Sequence, residues 1–172
     1  ALGVSVRGNY AYVADGTSGL HIIDISDANS PSLIGTFDTD GYASDVELSS
    51  DGTKAYVSDG TSGLQIVDIT NPATPSLWGS LDTGGEAFGV ALSSDGIKAY
   101  VANGSSGLAI ANVSDASDLF VYGSLNTAGS VQDVVLSVDE DTVYLASGSA
   151  GLQVVDVSYS FEPIFLGARN TN

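Results

Sequence analysis

Short apolar runs with a period of two, separated by polar turn residues, make up nearly the whole chain. No window carries an apolar stripe at helical spacing over three turns. Residues 87–130 show the arrangement most plainly. "GVALS" at 89–93, "KAYVANG" at 98–104, "LAIANVS" at 108–114 and "FVYGSLN" at 120–126 each have strand length, β-branched or aromatic content, and turn residues at both ends. The pattern predicts four strands per unit.

The unit recurs. Tyr12, Tyr56, Tyr100 and Tyr144 stand 44 residues apart, and repeat units fall at about 1–42, 43–86, 87–130 and 131–172 of one domain. A period of that size indicates propeller blades or solenoid coils. Turn chemistry keeps the same period. "SSDG" at 49–52 and 93–96 offers an Asp-Gly pair for the first hairpin. The first unit has the shorter "RGN" there, and the fourth has "VDED" without glycine. Gly16, Gly60, Gly104 and Gly148 recur between the second and third strands. Asp24, Asp68, Asn112 and Asp156 follow the third, each two positions before a Ser or Thr whose backbone amide a short polar side chain can engage. The sequence therefore reads as an all-β chain, a β-propeller of four four-stranded antiparallel blades. A β-solenoid is the alternative, although its coils are usually shorter.

The third strand of each unit, "LHIID", "LQIVD", "LAIAN" and "LQVVD" from Leu20, Leu64, Leu108 and Leu152, resembles the LVIVD repeat, a family of bacterial and archaeal propeller-type repeats. The flanking text agrees: "GNYAYVADG" precedes the motif, and "SPSLIG" or "TPSLWG" follows it, with Pro31, Pro75 and Pro163 at one repeat position. The third unit departs most, with Ala111 and Asn112 inside the motif and Leu119 in place of proline. Arg169 stands where other units have Phe37, Leu81 and Leu125. The resemblance implies a propeller fold in a secreted or surface-attached protein without assigned catalysis, and hence an extracellular structural or interaction role. Family members usually carry more than four repeats.

Charge narrows the partners. The 172 residues hold 21 Asp and Glu against four Lys and Arg, a formal net charge of −17. Such a surface repels phosphate backbones and anionic headgroups, which disfavours nucleic-acid and membrane-surface binding. No apolar run is long enough for membrane insertion. Without cysteine there is neither a disulfide framework nor thiolate chemistry. The absence of methionine implies a processed product, an excised domain or a segment of something longer.

Candidate chemistry is sparse. His21 is the one histidine, and its repeat equivalents Gln65, Ala109 and Gln153 share no chemistry, so the position is expected to face outward from the strand. No set of acid, base and nucleophile converges, and a non-enzymatic role is expected. Asp15, Asp51, Asp59 and Asp95 fall at turns and have structural explanations there, as does "DTDG" at 38–41. Asp45 and Asp133 differ. They occupy one repeat position at the start of the first strand, where the other units have Gly3 and Gly89. Because the first strand of a blade is innermost, the two carboxylates are candidates for a channel-facing site for calcium, sodium or water, since hard cations take oxygen ligands. In a closed ring they would face each other across the channel. The competing reading is that each accepts a backbone N–H and orders the blade.

Trp78, Tyr10, Tyr42, Tyr122 and Tyr159 could take a carbohydrate or peptide, with core packing favoured for Trp78. Four blades in an open arc would leave two apolar sheet faces uncovered. A closed ring, a pair of copies in an eight-bladed ring, a filament and a segment of a longer propeller all answer that problem. The expected role is a structural or interaction module, self-assembling as sheath, filament, surface layer or adhesin. The alternative is a ligand-binding propeller.

Overall fold

The computed structural model describes residues 1–171. Strands run in chain order as four antiparallel sheets with nearest-neighbour topology. The first blade holds β1 (Gly3–Arg7), β2 (Tyr10–Ala14), β3 (Leu20–Asp24) and β4 (Ser32–Phe37). The second holds β5 (Asp45–Leu48), β6 (Lys54–Ser58), β7 (Leu64–Asp68) and β8 (Ser76–Leu81). The third holds β9 (Gly89–Leu92), β10 (Lys98–Ala102), β11 (Leu108–Asn112) and β12 (Phe120–Leu125). The fourth holds β13 (Asp133–Leu136), β14 (Thr142–Ala146), β15 (Leu152–Asp156) and β16 (Ile164–Arg169), with a short 3-10 turn at Gly148–Ala150.

Local chemistry fixes where the strands stop. Asp24 Oδ1 accepts the Ser26 amide at 2.8 Å, and Asp68, Asn112 and Asp156 do the same for Thr70, Ser114 and Ser158 at 2.8, 2.9 and 2.9 Å. Each side chain supplies the bond that the next ladder position would have made. At the first hairpin of the second blade, Asp51 accepts the Ser49 hydroxyl at 2.6 Å and the Thr53 amide at 2.9 Å. These bonds hold its carboxyl at about 2, well below the usual carboxylate range. The fourth blade lacks the glycine of this turn, and Glu140 takes the left-handed conformation instead, with φ 61°. Its carboxylate accepts the Ser94 amide of the third blade's hairpin at 2.8 Å, a bond between blades that offsets local strain. A β-bulge shifts the register between the third and fourth strands of every blade and bends the outermost strand.

The core lies between blades. Tyr12, Leu20 and Ile22 of the first blade pack on Ala43, Val46 and Val57 of the second. Tyr56, Leu64 and Ile66 pack on Ala87, Val90 and Val101 of the third, and Tyr100, Leu108 and Ile110 on Val131, Val134 and Leu145 of the fourth. Burying each of these Leu or Ile side chains contributes roughly 1.5–3 kcal/mol. The faces are unequal in size: large Tyr, Leu and Ile meet small Ala and Val, which lets adjacent sheets interdigitate.

This packing corrects the reading of position 21. Its equivalents Gln65, Ala109 and Gln153 are buried, not outward. A period of two sends alternate side chains to opposite faces of a sheet, but in this fold both faces of an inner blade are covered. The side opposite Leu64 and Ile66 meets the preceding blade. His21 is half-exposed because the first blade has no predecessor among the described residues.

Candidate interaction surface

The innermost strands form a row in which β1 touches β5, β5 touches β9, and β9 touches β13. Asp45 and Asp133 stand on this row, two blades apart, and line one groove of about 350 Å³ together with Glu47, Ala91 and Val135. Asp45 Oδ2 accepts the Val90 amide of the third blade at 3.1 Å. Asp133 Oδ1 accepts the Val134 amide of its own strand at 2.8 Å. Burial pushes the Asp45 carboxyl above its ordinary value; the Val90 and Val46 amides oppose that shift, and the charge of Asp133 adds to it.

The glycines of the same repeat position explain how the carboxylates fit. A Cβ on Gly3 would fall 2.7 Å from the Asp45 Cα, and one on Gly89 would fall 3.0 Å from the Asp133 Cα. The first separation is closer than side chains tolerate and the second would make the neighbouring strand give way; the same Cβ atoms would also meet Asp45 Oδ1 at 2.7 Å and Asp133 Oδ1 at 3.1 Å, so the glycines leave room for the carboxylates. Among the described residues no group of three or more His, Cys, Asp or Glu side chains gathers to hold a metal ion.

A second polar seam runs along the blade rim, and here the turn explanation for Asp59 is incomplete. Asp59 is fully buried and accepts the Thr39 hydroxyl of the first blade at 2.7 Å. Asn103 accepts the Thr83 hydroxyl at 2.8 Å and returns a bond from Nδ2 to the Thr83 carbonyl at 2.7 Å. Burial pushes the Asp59 carboxyl up, the Thr39 hydroxyl and the Gly41 amide only partly opposing it, and the charges of Asp40 and Asp38 add to the shift. At the third seam the pair is Thr127 and Ser147, whose hydroxyls are buried without partners. The signal for this lock was present in the sequence as Thr39, Thr83, Thr127 and Thr171 at intervals of 44. On the first blade the corresponding Asp15 has no preceding threonine; its Oδ2 lies 3.5 Å from His21 Nδ1, and its Oδ1 meets the Ala1 amino group.

The first and fourth blades each lack one neighbour among the described residues, which leaves apolar side chains uncovered on their outward faces. Val46, Val90 and Val134 are 2%, 5% and 3% exposed, whereas Val4 at the same position of the first blade is 64% exposed. Tyr100 and Leu108 are fully buried, whereas Tyr144 and Leu152 on the fourth blade are each 41% exposed. The two faces are opposite in kind: small aliphatics on the first blade, large side chains on the fourth. They are the two halves of the interface that joins every inner pair.

The candidate aromatics divide. Trp78 packs partly into the second seam, with Lys54 Nζ 4.8 Å from its ring centroid. Tyr122 stands edge-on between Phe120 and Phe161, with centroids 4.9 and 5.0 Å away. Tyr10 packs against the first seam, and Tyr42 and Tyr159 are exposed.

Four-stranded antiparallel sheets, packed face to face around a row of innermost strands, define a β-propeller architecture. The chain belongs to the LVIVD repeat family, whose repeat matches residues 1–39, 40–83, 84–127 and 128–171. No functionally curated protein matches it by sequence. Among solved structures it is similar to a periplasmic gluconolactonase of Pseudomonas aeruginosa, at 16% identity and a TM-score of 0.78, covering 99% of this chain and 57% of that one. It is also similar to a functionally unknown protein of Desulfotomaculum acetoxidans, at 17% identity and a TM-score of 0.80, covering 98% and 56%. A putative 6-phosphogluconolactonase of Bacteroides uniformis matches at 16% identity and a TM-score of 0.79, covering 99% and 53%. The chain thus spans a little over half of each of these structures. At such identities the likeness establishes the fold alone.

Proposed function

We infer that the chain is a non-enzymatic interaction module of the cell exterior, secreted or surface-attached, in which the outermost strands of the blades are the working surface. The observation that carries this reading is the row of apolar side chains left exposed on those strands, Leu33 on β4, Leu77 on β8 and Phe120 on β12. Exposed apolar side chains repeated on successive blades suit a protein–protein contact. The exterior of the blades, rich in Asp, Ser and Thr and strongly acidic, suits a sheath, filament, surface layer or adhesin, where repulsion between finished assemblies keeps them apart. The partner is protein.

A second reading rests on the groove with Asp45 and Asp133, where oxygen ligands could take calcium or a polar ligand such as a carbohydrate. Melting at several protein concentrations, with calcium and with chelator, separates the two. Association coupled to folding makes Tm rise with protein concentration whether or not calcium is present. A Tm independent of protein concentration contradicts the interaction reading, and a calcium-dependent rise in Tm would favour the groove.

A further inference from the structure

An asparagine followed two positions later by serine or threonine, with no proline between, is the acceptor pattern for a saccharide on the asparagine amide. The pattern occurs twice, both times in the third blade, at Asn103-Gly104-Ser105 and at Asn112-Val113-Ser114. The fold treats the two differently. Asn103 is buried, with Nδ2 donating to the Thr83 carbonyl at 2.7 Å and Oδ1 accepting the Thr83 hydroxyl at 2.8 Å. A sugar on that nitrogen would break the seam between the second and third blades. Asn112 ends β11 and is only partly buried. Its Oδ1 accepts the Ser114 amide at 2.9 Å and the Ser114 hydroxyl at 2.7 Å, while Nδ2 makes no hydrogen bond among the described residues.

The strand-ending turn accounts for the oxygen and leaves the nitrogen unexplained. Asp24, Asp68 and Asp156 accept the same amide in the other blades, so an acceptor oxygen is all that the turn requires. The surroundings of Asn112 differ as well. Directly across from it on β12 lies Phe120, where the first and second blades carry Ser32 and Ser76. Opposed residues of an antiparallel pair have their Cβ atoms about 5 Å apart. Phe120 stands edge-on to Tyr122, and Tyr122 to Phe161 of the fourth blade. Both phenylalanines are exposed. They offer the C–H face of a sugar ring an apolar floor beside the free amide.

Resting on the placement at the cell exterior above, we propose that Asn112 is an N-glycosylation site whose first sugar lies against Phe120. The donor is a saccharide linked through phosphate to a polyprenyl lipid. The Asn112 Nδ2 forms a bond to the anomeric carbon and the bond from that carbon to the phosphate oxygen breaks. The lipid phosphate leaves with the electron pair, and one Nδ2 proton passes to solvent. A glycan there shields the outermost strand of the third blade and leaves Leu33 and Leu77, on the first two, open to a protein contact.

The test is glycopeptide mapping by tandem mass spectrometry, on the protein isolated from the cytoplasmic and the extracytoplasmic fractions of its source cells. Wild type is expected to carry saccharide at Asn112 and none at Asn103. Asn112→Asp places there the residue of the other three blades and keeps the turn, whereas Ser114→Ala keeps Asn112 and its bond to the backbone amide but removes the hydroxyl. Both variants are expected to lose the saccharide completely while circular dichroism shows the β fold retained, and Ser114→Thr is expected to keep it. Protein recovered outside the cytoplasm with Asn112 unmodified overturns the site and leaves the exterior reading standing. Saccharide on Asn103, or on the Ser114→Ala variant, also overturns the site. Protein found only in the cytoplasm and unmodified overturns both.

Discussion

Asp45 and Val90, 45 residues apart, are joined by a 3.1 Å hydrogen bond from the Val90 amide to the Asp45 carboxylate, which ties the innermost strands of the second and third blades. The bond uses a backbone donor that no ladder partner takes, so removing the acceptor leaves a half-buried amide unsatisfied. Asp45→Ala is expected to lower stability by about 1–3 kcal/mol. Asp45→Asn, which keeps an acceptor oxygen and removes a carboxylate whose ionisation burial disfavours, is expected to leave neutral-pH stability unchanged or raise it. Denaturant titration of both variants checks this, and equal losses would show that the charge itself is required.

The close approach of Gly89 to the strand after it predicts a loss of another kind. A methyl group there would meet the Asp133 Cα at 3.0 Å and the Gln132 carbonyl at 3.2 Å, both of them backbone or backbone-bound atoms that cannot swing away. Gly89→Ala is expected to push the third and fourth blades apart and to cost roughly 1–3 kcal/mol, the range for overpacking. Thermal melting with Gly96→Ala as reference isolates the effect. Gly96, unlike Gly89, has a positive φ, 70°, and nothing lies within 4 Å of its Cβ position, so its variant loses only about 1 kcal/mol of backbone preference.

Asp59 and Asn103 occupy one repeat position, and the third blade shows what the second lacks. Asp59→Asn is expected to gain the return bond to the Thr39 carbonyl and to raise neutral-pH stability by about 1 kcal/mol. The sign of its pH dependence follows from the upward shift of the carboxyl. An aspartate whose folded pKa exceeds its unfolded one destabilises the fold when ionised, and that penalty disappears as pH falls through the folded value towards the ordinary one. The advantage of the variant should therefore shrink over that window. Asp51, held at about 2 by its Ser49 and Thr53 bonds, acts in the opposite sense: its contribution is present above the ordinary carboxylate value and is lost as pH falls towards 2. Chemical denaturation of wild type and Asp59→Asn at several pH values between neutrality and that window tests the account. An advantage that grows on acidification would contradict it.

Most of the architecture could be read from the sequence because the repeat states it four times. Period-two runs located the strands, and the Asp24, Asp68, Asn112 and Asp156 turns ended them where expected. What a single strand cannot report is which neighbour covers each of its faces. Position 21 was misread as outward for that reason, since alternation distinguishes two faces without saying that both are buried. Asp59 looked like a turn residue because its partner Thr39 is 20 residues earlier, on another blade. The distinct character of Asp45 and Asp133 was visible from the Gly and Asp alternation, but its cause lies in the distance between neighbouring inner strands.

The account turns on whether the module works through protein contacts or through a ligand in the groove of Asp45 and Asp133. Melting at several protein concentrations, with calcium and with chelator, addresses this most directly. The predicted result is a Tm that rises with protein concentration and is the same with calcium as with chelator. A Tm that is independent of protein concentration and rises with calcium would contradict it.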